Sequence, residues 1–294
     1  MLVELARAMC LRGDEQRTSR AIEPGCPVCI MSYQPYLTVL IPAYNEESDI
    51  AFAIKAISEH LARLSLDYEI LVVDDGSHDR TAGIVAALAA ADPHLRLERH
   101  SRNQGIGAGI QTGVQAARGQ FMIFIPADLG MNLEQLHRYV EASARADIVL
   151  GNRSDRRDYT FWRKVVSVSN ILLLKLLFGL KQHQFAYINL YRLSVIRRIR
   201  IESRSVFISH ELIIKARDLG ARFEEVQVNY VTRQTGRATG ARMSRVAQAA
   251  WETWIFWLKW LYRTITRQRS RGYLDDSPAS GGPAGGPTAQ GRLD

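Results

Sequence analysis

The sequence predicts a layered α/β fold with a mostly parallel β-sheet that is flanked by helices. Between about residues 37 and 150, short apolar runs alternate with segments of helical periodicity. Strands that alternate with helices in this way pair in parallel. The chain has 294 residues, of which 47% are hydrophobic and 23% charged, and this composition predicts a sizeable globular core.

Five strands are predicted from short runs, most of them rich in apolar β-branched side chains. In chain order they are Leu37–Ile41, Tyr68–Val73, Leu95–His100, Phe121–Ile125 and Asp147–Leu150. Ligands of such sheets bind at the carboxyl ends of the strands. The functional residues are therefore expected just after each run.

Four helices are predicted between these strands, because apolar residues recur there every three or four positions. In the first helix Ile50, Ile54 and Ile57 recur in this way, and Ser48 or Asn45 is the expected N-cap. The four helices are Glu46–Leu64, Thr81–Ala91, Gly105–Arg118 and Leu133–Ala144.

The pattern changes after Gly151. The elements predicted there are a helix, a short strand, a second helix, a second strand, a basic loop and a last helix rich in tryptophan. In the same order they span Trp162–Phe178, Ala186–Tyr191, Glu211–Gly220, Glu225–Val231, Arg233–Arg242 and Val246–Arg263.

Four segments are expected along the chain. Residues 1–35 are expected to be disordered or to precede the true start codon, for which Met31 is the candidate, and residues 270–294 to be a disordered Gly/Pro-rich tail. Between them lie the α/β domain, 36–245, and an amphipathic interfacial helix, 246–269. No signal peptide or membrane-spanning run is predicted. All three cysteines fall in the first segment, which fits a reducing compartment.

Three of the predicted strands end in residues that a nucleotide site needs. The first is followed by Pro42–Glu46, the second by Asp74–Ser77 and the fourth by Pro126–Asp128. An aromatic ring can pack on a base, and carboxylates can bind ribose hydroxyls or a divalent metal on the diphosphate. Asp-Asp-Gly-Ser alone is also typical of a turn. It is the series at successive strand ends that indicates a nucleotide site.

The motifs Leu40–Glu46, Val72–Ser77 and Arg102–Gly105 resemble those of family-two glycosyltransferases of GT-A fold, and among them the dolichyl-phosphate mannosyltransferase branch. The resemblance covers about residues 36–245. It implies a hexose-transferring enzyme that binds a GDP- or UDP-linked sugar. The residues that it implies for donor binding are Pro42, Tyr44, Glu46, Val72, Asp74, Ala127, Asp128, Arg153 and Arg233.

Two positions depart from the family pattern. Pro126 stands where the family usually has the first acidic residue of Asp-x-Asp, and Gln184 stands where it often has Asp. Asp128 is then the implied ligand of Mg²⁺ or Mn²⁺, and the loss of the other carboxylate is expected to weaken metal binding. The two losses also motivate the alternative of an inactive GT-A module that binds nucleotide sugar.

Basic residues in the second half are candidates for phosphate contacts, because arginine binds phosphate oxygens bidentately. Arg163 and Ser167 are four residues apart and share a helical face. The resemblance implies that they hold the phosphate of a polyprenyl-phosphate acceptor, dolichyl or undecaprenyl, and that Arg153 and Arg233 hold the donor diphosphate. Asp128, Arg153 and Arg163 are the residues expected to be catalytic.

The acceptor decides whether a base is needed. A phosphate acceptor is an anion at neutral pH, so positioning it and stabilising the leaving diphosphate are expected to suffice. A single displacement inverts the anomeric centre. A hydroxyl acceptor in a polysaccharide or glycolipid would instead need a base. Glu211 is the candidate for that role, and a surface residue that opens a helix is an equally favoured interpretation of it.

The last helix carries Trp251, Trp254, Leu258 and Tyr262 at helical spacing, and Ile171–Phe178 offers a second apolar surface. Trp and Tyr favour the lipid headgroup region. The enzyme is thus expected to be peripheral on the cytoplasmic face of a membrane; a helix packed on the core is the alternative. The net charge of +8 suits phosphate-bearing partners, but no nucleic acid is expected, because aromatic residues are not interleaved with the basic ones. A membrane protein and a second copy of the chain stay open as partners.

Overall fold

The computed structural model describes residues 34–153, 161–183, 188–203, 205, 207–229 and 243–266, and only the backbone of residues 161–166 and 243–250. Within these ranges the chain forms a seven-stranded sheet with helices on both faces. The predicted α/β class is therefore confirmed. The predictions for the N-terminal extension, the Gly/Pro-rich tail, the basic loop and Gln184 fall outside the described residues.

The strands are β1 (Leu37–Ala43), β2 (Tyr68–Asp74), β3 (Leu95–Arg99), β4 (Phe121–Phe124), β5 (Ile148–Arg153), β6 (Asn189–Arg192) and β7 (Phe223–Val228). The helices are α1 (Ile50–Arg63), α2 (Thr81–Ala89), α3 (Ile106–Ala116), α4 (Leu136–Ser143), α5 (Phe161–Phe178), α6 (Leu193–Ile196), α7 (Ile208–Asp218) and α8 (Met243–Ile265). A 3₁₀ turn, Leu133–Gln135, leads into α4.

The sheet has the strand order β3-β2-β1-β4-β6-β5-β7. Neighbouring strands pair in parallel except at β6, which is antiparallel to both β4 and β5. Two antiparallel steps cancel, so β5 and β7 run in the same direction as β1 to β4. The sheet is thus mostly parallel, as predicted, and six of its strands have their carboxyl ends at one edge.

Alternation along the buried strands divides the core into two layers. Val39 and Ile41 of β1 belong to a layer that is covered by α1, α2 and α4, whereas Leu40 between them belongs to the layer covered by α3, α5, α7 and α8. This is the two-residue period of a strand whose two faces are both covered. Because helices cover both faces of the sheet, a ligand is expected to bind at the edge formed by the carboxyl ends of the strands.

Two local expectations were wrong, and one short element was not predicted. Gly151, Asn152 and Arg153 belong to β5 and do not follow it, because the parallel pairing with β7 continues through Arg153. The N-cap of α1 is Asp49, without a side-chain cap bond, rather than Ser48 or Asn45. The short helix α6 was not predicted, since four residues carry too little periodicity to stand out.

Candidate active site at the carboxyl edge of the sheet

The loops after β1 and β2 are bound to each other at the carboxyl edge. The Asn45 N–H donates to Ser77 Oγ at 2.9 Å, and the His78 N–H donates to Asn45 Oδ1 at 3.0 Å. Asn45 has φ of +56°, a left-handed conformation that asparagine tolerates better than most residues. These bonds hold the half-exposed ring of Tyr44 with its centroid 6.5 Å from that of His78.

Asp74, the last residue of β2, is held on both sides. Its side chain is 0% exposed, its Oδ2 accepts a bond from Arg99 Nε at 3.1 Å, and its Oδ1 accepts the Ser77 N–H at 3.2 Å. Arg99 ends the neighbouring strand β3 and stands opposite Asp74 in register. Arg99 was not predicted, because the predicted strand Leu95–His100 extends past it and functional residues were expected only after each strand.

Asp75 is a structural carboxylate. It accepts the Gln104 and Gly105 N–H groups at 2.9 and 2.8 Å, and His100 Nδ1 lies 2.7 Å from its Oδ1. The other nitrogen of His100 is 2.8 Å from Thr112 Oγ1 on α3. Asp75 therefore ties the loop after β3, which contains the Arg-Asn-Gln-Gly motif, to the loop after β2.

The remaining donor-side residues lie around this edge or just below it. Pro42 and Glu46 are partly exposed in or beside the first loop, whereas Ala127 is buried in the layer under α1 and α4. Val72 is fully buried in the same layer, two residues before Asp74. Its side chain thus supports the edge from within the core.

Asp128 lies at the end of the segment that follows β4. One of its carboxylate oxygens is shielded from solvent, and the next residue, Leu129, has φ of +49°. The Leu129 N–H donates to the Pro126 carbonyl at 3.0 Å, which closes a tight turn around Asp128. A left-handed leucine is strained and is found where the surrounding structure fixes it, often at functional sites.

The side chains around Asp128 offer a single carboxylate ligand to an ion such as Mg²⁺ or Mn²⁺. Pro126 supplies no side-chain ligand, and the described residues contain no group of three or more His, Cys, Asp or Glu side chains that could hold a metal by themselves. Mg²⁺ is commonly held by one or two carboxylates, with phosphate oxygens and water completing its octahedron. One carboxylate plus a diphosphate meets that pattern.

The end of β5 places Arg153 at the same edge. Arg153 is buried and stands in register with Val228 of β7. Its neighbour Asn152 donates to Glu225, whose carboxylate is also 2.7 Å from His183 Nδ1. Burial raises the pKa of Glu225, but the bonds from Asn152 and His183 outweigh it and hold the pKa below its ordinary value.

The residues predicted to hold the acceptor phosphate are described only in part. Helix α5 includes both Arg163 and Ser167, so the predicted one-turn spacing on a helix is confirmed. Ser167 is partly exposed, while the side chain of Arg163 and the whole of Arg233 lie outside the described residues.

Glu211 is not a surface residue. It is fully buried in α7, where it accepts a bond from Lys215 Nζ at 2.6 Å and the N–H groups of Glu202 and Ser203, both at 2.8 Å. Lys215 is also fully buried and lies 3.1 Å from Glu202. The interpretation of Glu211 as a surface residue was wrong, because charge at a helix start did not reveal its partner one turn later. Its role as a base for a hydroxyl acceptor stays a prediction.

Helix α8 has two opposite apolar faces. Phe256 and Trp260 pack into the core, and Trp257 Nε1 donates to the Leu177 carbonyl of α5 at 3.1 Å. The other face exposes large side chains at the same helical period. Its members are Trp251, Trp254, Leu258, Tyr262 and Ile265, and α5 exposes Val168, Leu172, Leu173 and Leu176. We call these nine residues the apolar platform.

The platform differs from an ordinary protein surface. Single exposed apolar residues are common, but grouped ones mark an interaction site. Leu176 is 83% and Trp251 65% exposed. Among the described residues no helix is both long enough and apolar enough to cross a bilayer.

A mixed sheet of this order, covered on both faces and with its polar residues at the carboxyl edge, has the architecture of the GT-A nucleotide-sugar transferases. The chain belongs to glycosyl transferase family 2, whose family model matches residues 38–200. The predicted family is therefore confirmed, and so is the fold.

Several relatives are named for lipid phosphates. An undecaprenyl-phosphate 4-deoxy-4-formamido-L-arabinose transferase of Edwardsiella ictaluri is 31% identical over 205 residues, which cover 68% of this chain and 62% of the relative. A dolichyl-phosphate beta-glucosyltransferase of Dictyostelium discoideum is 31% identical over 150 residues, 47% of this chain and 46% of the relative. The chain thus spans less than two thirds of the length of these curated relatives.

Solved structures show the same fold. The glucosyl-3-phosphoglycerate synthase from Mycobacterium tuberculosis, in complex with Mn²⁺, UDP-glucose and phosphoglyceric acid, has a TM-score of 0.58 at 18% identity and covers 74% of this chain and 77% of that chain. Another complex of that synthase, with UDP, has a TM-score of 0.57 at 19% identity. At such identities the likeness concerns the fold alone.

Proposed function

We propose that the protein is an inverting glycosyltransferase that moves a sugar from a nucleoside-diphosphate sugar to a polyprenyl phosphate at a membrane surface. The observation that carries this proposal is the set of donor-side residues at one edge of the sheet: Tyr44, Asp74, Asp128 and Arg153. The names of the relatives in the family, which act on undecaprenyl and dolichyl phosphates, supply the acceptor class.

UDP is the nucleotide that we favour over GDP. The similar solved complexes contain UDP or UDP-glucose, and one relative is a glucosyltransferase by name. In this chain the base would lie near Tyr44 and Asp74, with the diphosphate directed towards Asp128 and Arg153. Arg233 would add a second cation to the diphosphate, as the resemblance to the family implies.

Asp128 is the residue that would hold a divalent ion on the diphosphate. An ion bound there supplies positive charge against the negative charge that develops on the departing nucleoside diphosphate. The buried oxygen of Asp128 and the fixed turn at Leu129 are the features of this chain that favour the role. Arg153 contributes charge to the same leaving group from the neighbouring strand.

The transfer itself needs one displacement. An oxygen of the acceptor phosphate forms a bond to the anomeric carbon, and the bond from that carbon to the diphosphate oxygen breaks, with its electron pair leaving on the diphosphate. The attacking oxygen is already anionic, so the protein needs only to position it. Arg163 and Ser167, one turn apart on α5, are the residues proposed to do so.

A hydroxyl acceptor is less compatible with these residues. It would need a general base, and the candidate for that role, Glu211, is fully buried with Lys215 against it. The alternative of an inactive module that binds nucleotide sugar is motivated by Pro126 and Gln184. A measurement of sugar transfer distinguishes this inactive module from an active enzyme.

The platform on α5 and α8 is proposed to rest on the cytoplasmic face of the membrane. Its Trp and Tyr side chains have the chemistry of the headgroup region. This orientation would bring the lipid to the protein beside α5, the helix that carries Arg163 and Ser167.

The first experiment is sugar transfer in detergent. Radiolabelled UDP- and GDP-sugars are offered with Mg²⁺ or Mn²⁺ to a short-chain polyprenyl phosphate, and the same polyprenol without phosphate is the control acceptor. We expect a labelled lipid from the phosphate acceptor only. Product from both acceptors would contradict the proposed acceptor class, and a bound donor without any product would favour the inactive module.

The metal site is tested by two opposite substitutions. Asp128→Asn should lower transfer at least a hundredfold, since it removes the carboxylate of the site, and should leave the circular dichroism spectrum unchanged. Pro126→Asp adds the carboxylate that the family usually has and should lower the metal concentration needed for half-maximal rate. Unchanged turnover of the Asn variant would remove Asp128 from the site.

The acceptor site is tested by Arg163→Ala. We expect the KM for polyprenyl phosphate to rise about tenfold or more, while the KM for the donor changes little, because the lost contact is to the acceptor phosphate. Arg198→Ala, which removes an exposed arginine after α6, is the matched control and should change neither constant. A defect confined to the donor would contradict the assignment.

Membrane contact is tested by sedimentation with vesicles that contain anionic lipid. Replacing Trp251 and Trp254 together by Ser should lower the bound fraction severalfold, since both rings leave the headgroup region. Phe52→Ser is the control, because Phe52 is an equally exposed aromatic residue on α1, away from the platform. Equal loss in both variants would argue against a specific platform.

A further inference from the structure

Asp128 and Arg153, the two described residues that are proposed to meet the diphosphate, follow strands that are not neighbours. Strand β6 lies between β4 and β5, so two strand spacings, about 10 Å, separate those strands. Among the described residues, the pairing with β6 reaches only Ile123 in β4 and Leu150 in β5. Asp128 and Arg153 both lie beyond these last pairs. Pairing with β6 therefore does not fix their separation.

A second connection runs from the segment of Asp128 to β7. The 3₁₀ turn that follows this segment is bound to Asn229, the first residue after β7. The Asn132 N–H donates to the Asn229 carbonyl at 3.4 Å, and the Asn229 N–H donates to Gln135 Oε1 at 2.6 Å. We call these two hydrogen bonds the β7 bridge.

The β7 bridge ends beside the strand partner of Arg153. Asn229 follows Val228, which stands in register with Arg153 in the parallel pair of β5 and β7. Val228 is buried in the layer under α1 and α4, and Met131 from the segment of Asp128 is buried in the same layer. The bridge and this packing thus connect Asp128 to the end of β5 through β7.

Gln135 provides the only side-chain atom in the β7 bridge. The bond from Asn132 joins two backbone groups, whereas the bond from Asn229 needs the amide oxygen of Gln135 as its acceptor. Gln135 is buried, so water competes little for this oxygen and the bond is electrostatically stronger than at an open surface. A substitution at this one position can therefore open half of the bridge.

We infer that Gln135 is a positioning residue, which sets the separation of Asp128 and Arg153 by holding the end of β7 against the turn after Asp128. The inference rests on the proposed function, in which both residues meet the diphosphate. A displacement of about 1 Å far from the chemistry can lower a rate about a hundredfold. Opening the bridge should therefore impair the diphosphate, which must meet both residues at once, more than the rest of the donor.

The test removes the acceptor oxygen in the full chain with Gln135→Met, a side chain of similar length. At saturating donor and acceptor, kcat should fall about tenfold or more, and the affinity for UDP with Mg²⁺ should fall about three- to tenfold. UMP has a single phosphate, which need not meet both residues, so its affinity should change less than about twofold. The KM for polyprenyl phosphate should also stay within about twofold, because that contact is assigned to α5.

Gln135→Glu is the conservative variant, because it keeps an oxygen that can accept the Asn229 N–H. Its affinity for UDP should stay within about threefold of the wild type. Equal losses in the Met and Glu variants would overturn the inference, since the bond from Asn229 would then not matter. Equal weakening of UDP and UMP by Gln135→Met would also overturn it, because a general loss of structure would explain the result.

Arg138→Ala is the matched control. Arg138 Nη1 donates to the Gln227 carbonyl at 2.7 Å, a bond that also joins α4 to β7 but lies outside the bridge. Its loss should leave kcat and the affinity for UDP within about twofold of the wild type. A loss as large as that of Gln135→Met would assign the effect to general contact between α4 and β7, against the role of Gln135.

The wild type distinguishes failure of this inference from failure of the proposed function. If it binds neither UDP nor GDP and transfers no sugar, the proposed function fails. If it prefers GDP, GDP and GMP replace UDP and UMP in the same comparison. If it binds a nucleoside diphosphate and Gln135→Met changes neither that affinity nor kcat, the function stands and the positioning role of Gln135 is overturned.

Discussion

Two buried carboxylates, Asp75 at the carboxyl edge of the sheet and Glu211 in α7, have nearly the same local chemistry. Each accepts two backbone N–H groups and a third bond from a side chain, His100 for Asp75 and Lys215 for Glu211. They differ in what surrounds them. The loop of Asp75 borders a cavity and the open edge, whereas Glu211 is enclosed by α7, α8 and the segment around Glu202.

The difference teaches that burial and a full set of donors do not mark a catalytic carboxylate. At the strand ends, buried acids fix loops that carry more exposed groups such as Tyr44 and Arg99. In the helical region, the buried pair of Glu211 and Lys215 fixes helices: Glu202 also binds Lys259 and Arg263 of α8. The pKa of Glu202 is raised by burial, but Lys215 and Arg263 outweigh this and hold it below its usual range.

The largest expected effect comes from breaking that helical pair. Glu211→Ala should lower the free energy of unfolding by about 3–5 kcal/mol, because it leaves a buried ammonium and two backbone N–H groups without their acceptor. Chemical denaturation measures the loss. Because Glu202 lies 3.1 Å from Lys215 and still offers it a carboxylate, we expect the loss of stability to fall near the lower end of this range.

A matched pair on α1 provides the control. Lys55 and Glu59 have the same four-residue spacing and are 3.9 Å apart, but both side chains are largely exposed. Glu59→Ala should cost about 0.5 kcal/mol or less, as exposed helix pairs do. Equal losses in the two variants would show that burial of the Glu211 pair contributes nothing.

A smaller effect should appear when pH is lowered. Burial lowers the pKa of His210 from the ordinary histidine value of 6.5 to about 4. Between these two values the unfolded chain binds a proton that the folded chain does not, so stability is complete above pH 6.5 and falls as pH decreases towards 4. The full loss is about 3 kcal/mol.

Unfolding of His210→Phe at pH 8 and pH 5 tests this, since phenylalanine can keep the stacking on Phe207 but does not titrate. The dependence on pH should shrink relative to the wild type. His60 on α1 is the comparison: burial lowers its pKa too, but Glu134 opposes the shift. His60→Gln should therefore change the dependence less. If the His60 variant changed the pH dependence of stability more than the His210 variant, burial of His210 in α7 would not be the larger source of that dependence.

The strand-end region could be predicted from the sequence more fully than the helical region. Strands with both faces covered are continuous apolar runs, and the polar residues after them stand out by contrast, as at Asp74 and Asp128. Arg99 was missed because β3, an edge strand, has the sequence Leu-Arg-Leu-Glu-Arg, in which an arginine at the end does not stand out.

The helical region escaped prediction for a different reason. The partner of Glu211 is set by tertiary contacts, and a Glu followed by a Lys four residues later is equally typical of an exposed helix face. The apolar period of α8 was visible, but a helix with two apolar faces has the same period as one with a single face. Only the packing of Phe256 and Trp260 tells which side is buried.

The smallest expected effect tests how tightly α3 packs on β1, in the layer that contains Leu40. A methyl group at Gly113 of α3 would lie 2.6 Å from Cδ1 of Leu40 in β1, closer than real contacts allow. Gly113→Ala should therefore cost about 1–3 kcal/mol, the range for overpacking a core. Gly83→Ala on α2 is the control, because nothing lies within 4 Å of its new methyl group.

Gly83→Ala should raise the free energy of unfolding by about 0.4–1 kcal/mol, since alanine restricts the unfolded chain and favours the helix. Opposite signs for the two glycines, measured in the same denaturation series, would show that α3 is held against the strand that leads to Pro42 and Tyr44. If Gly113→Ala were also stabilising, Leu40 would have room to move. The loop after β1 would then be less firmly positioned than the buried pair in α7.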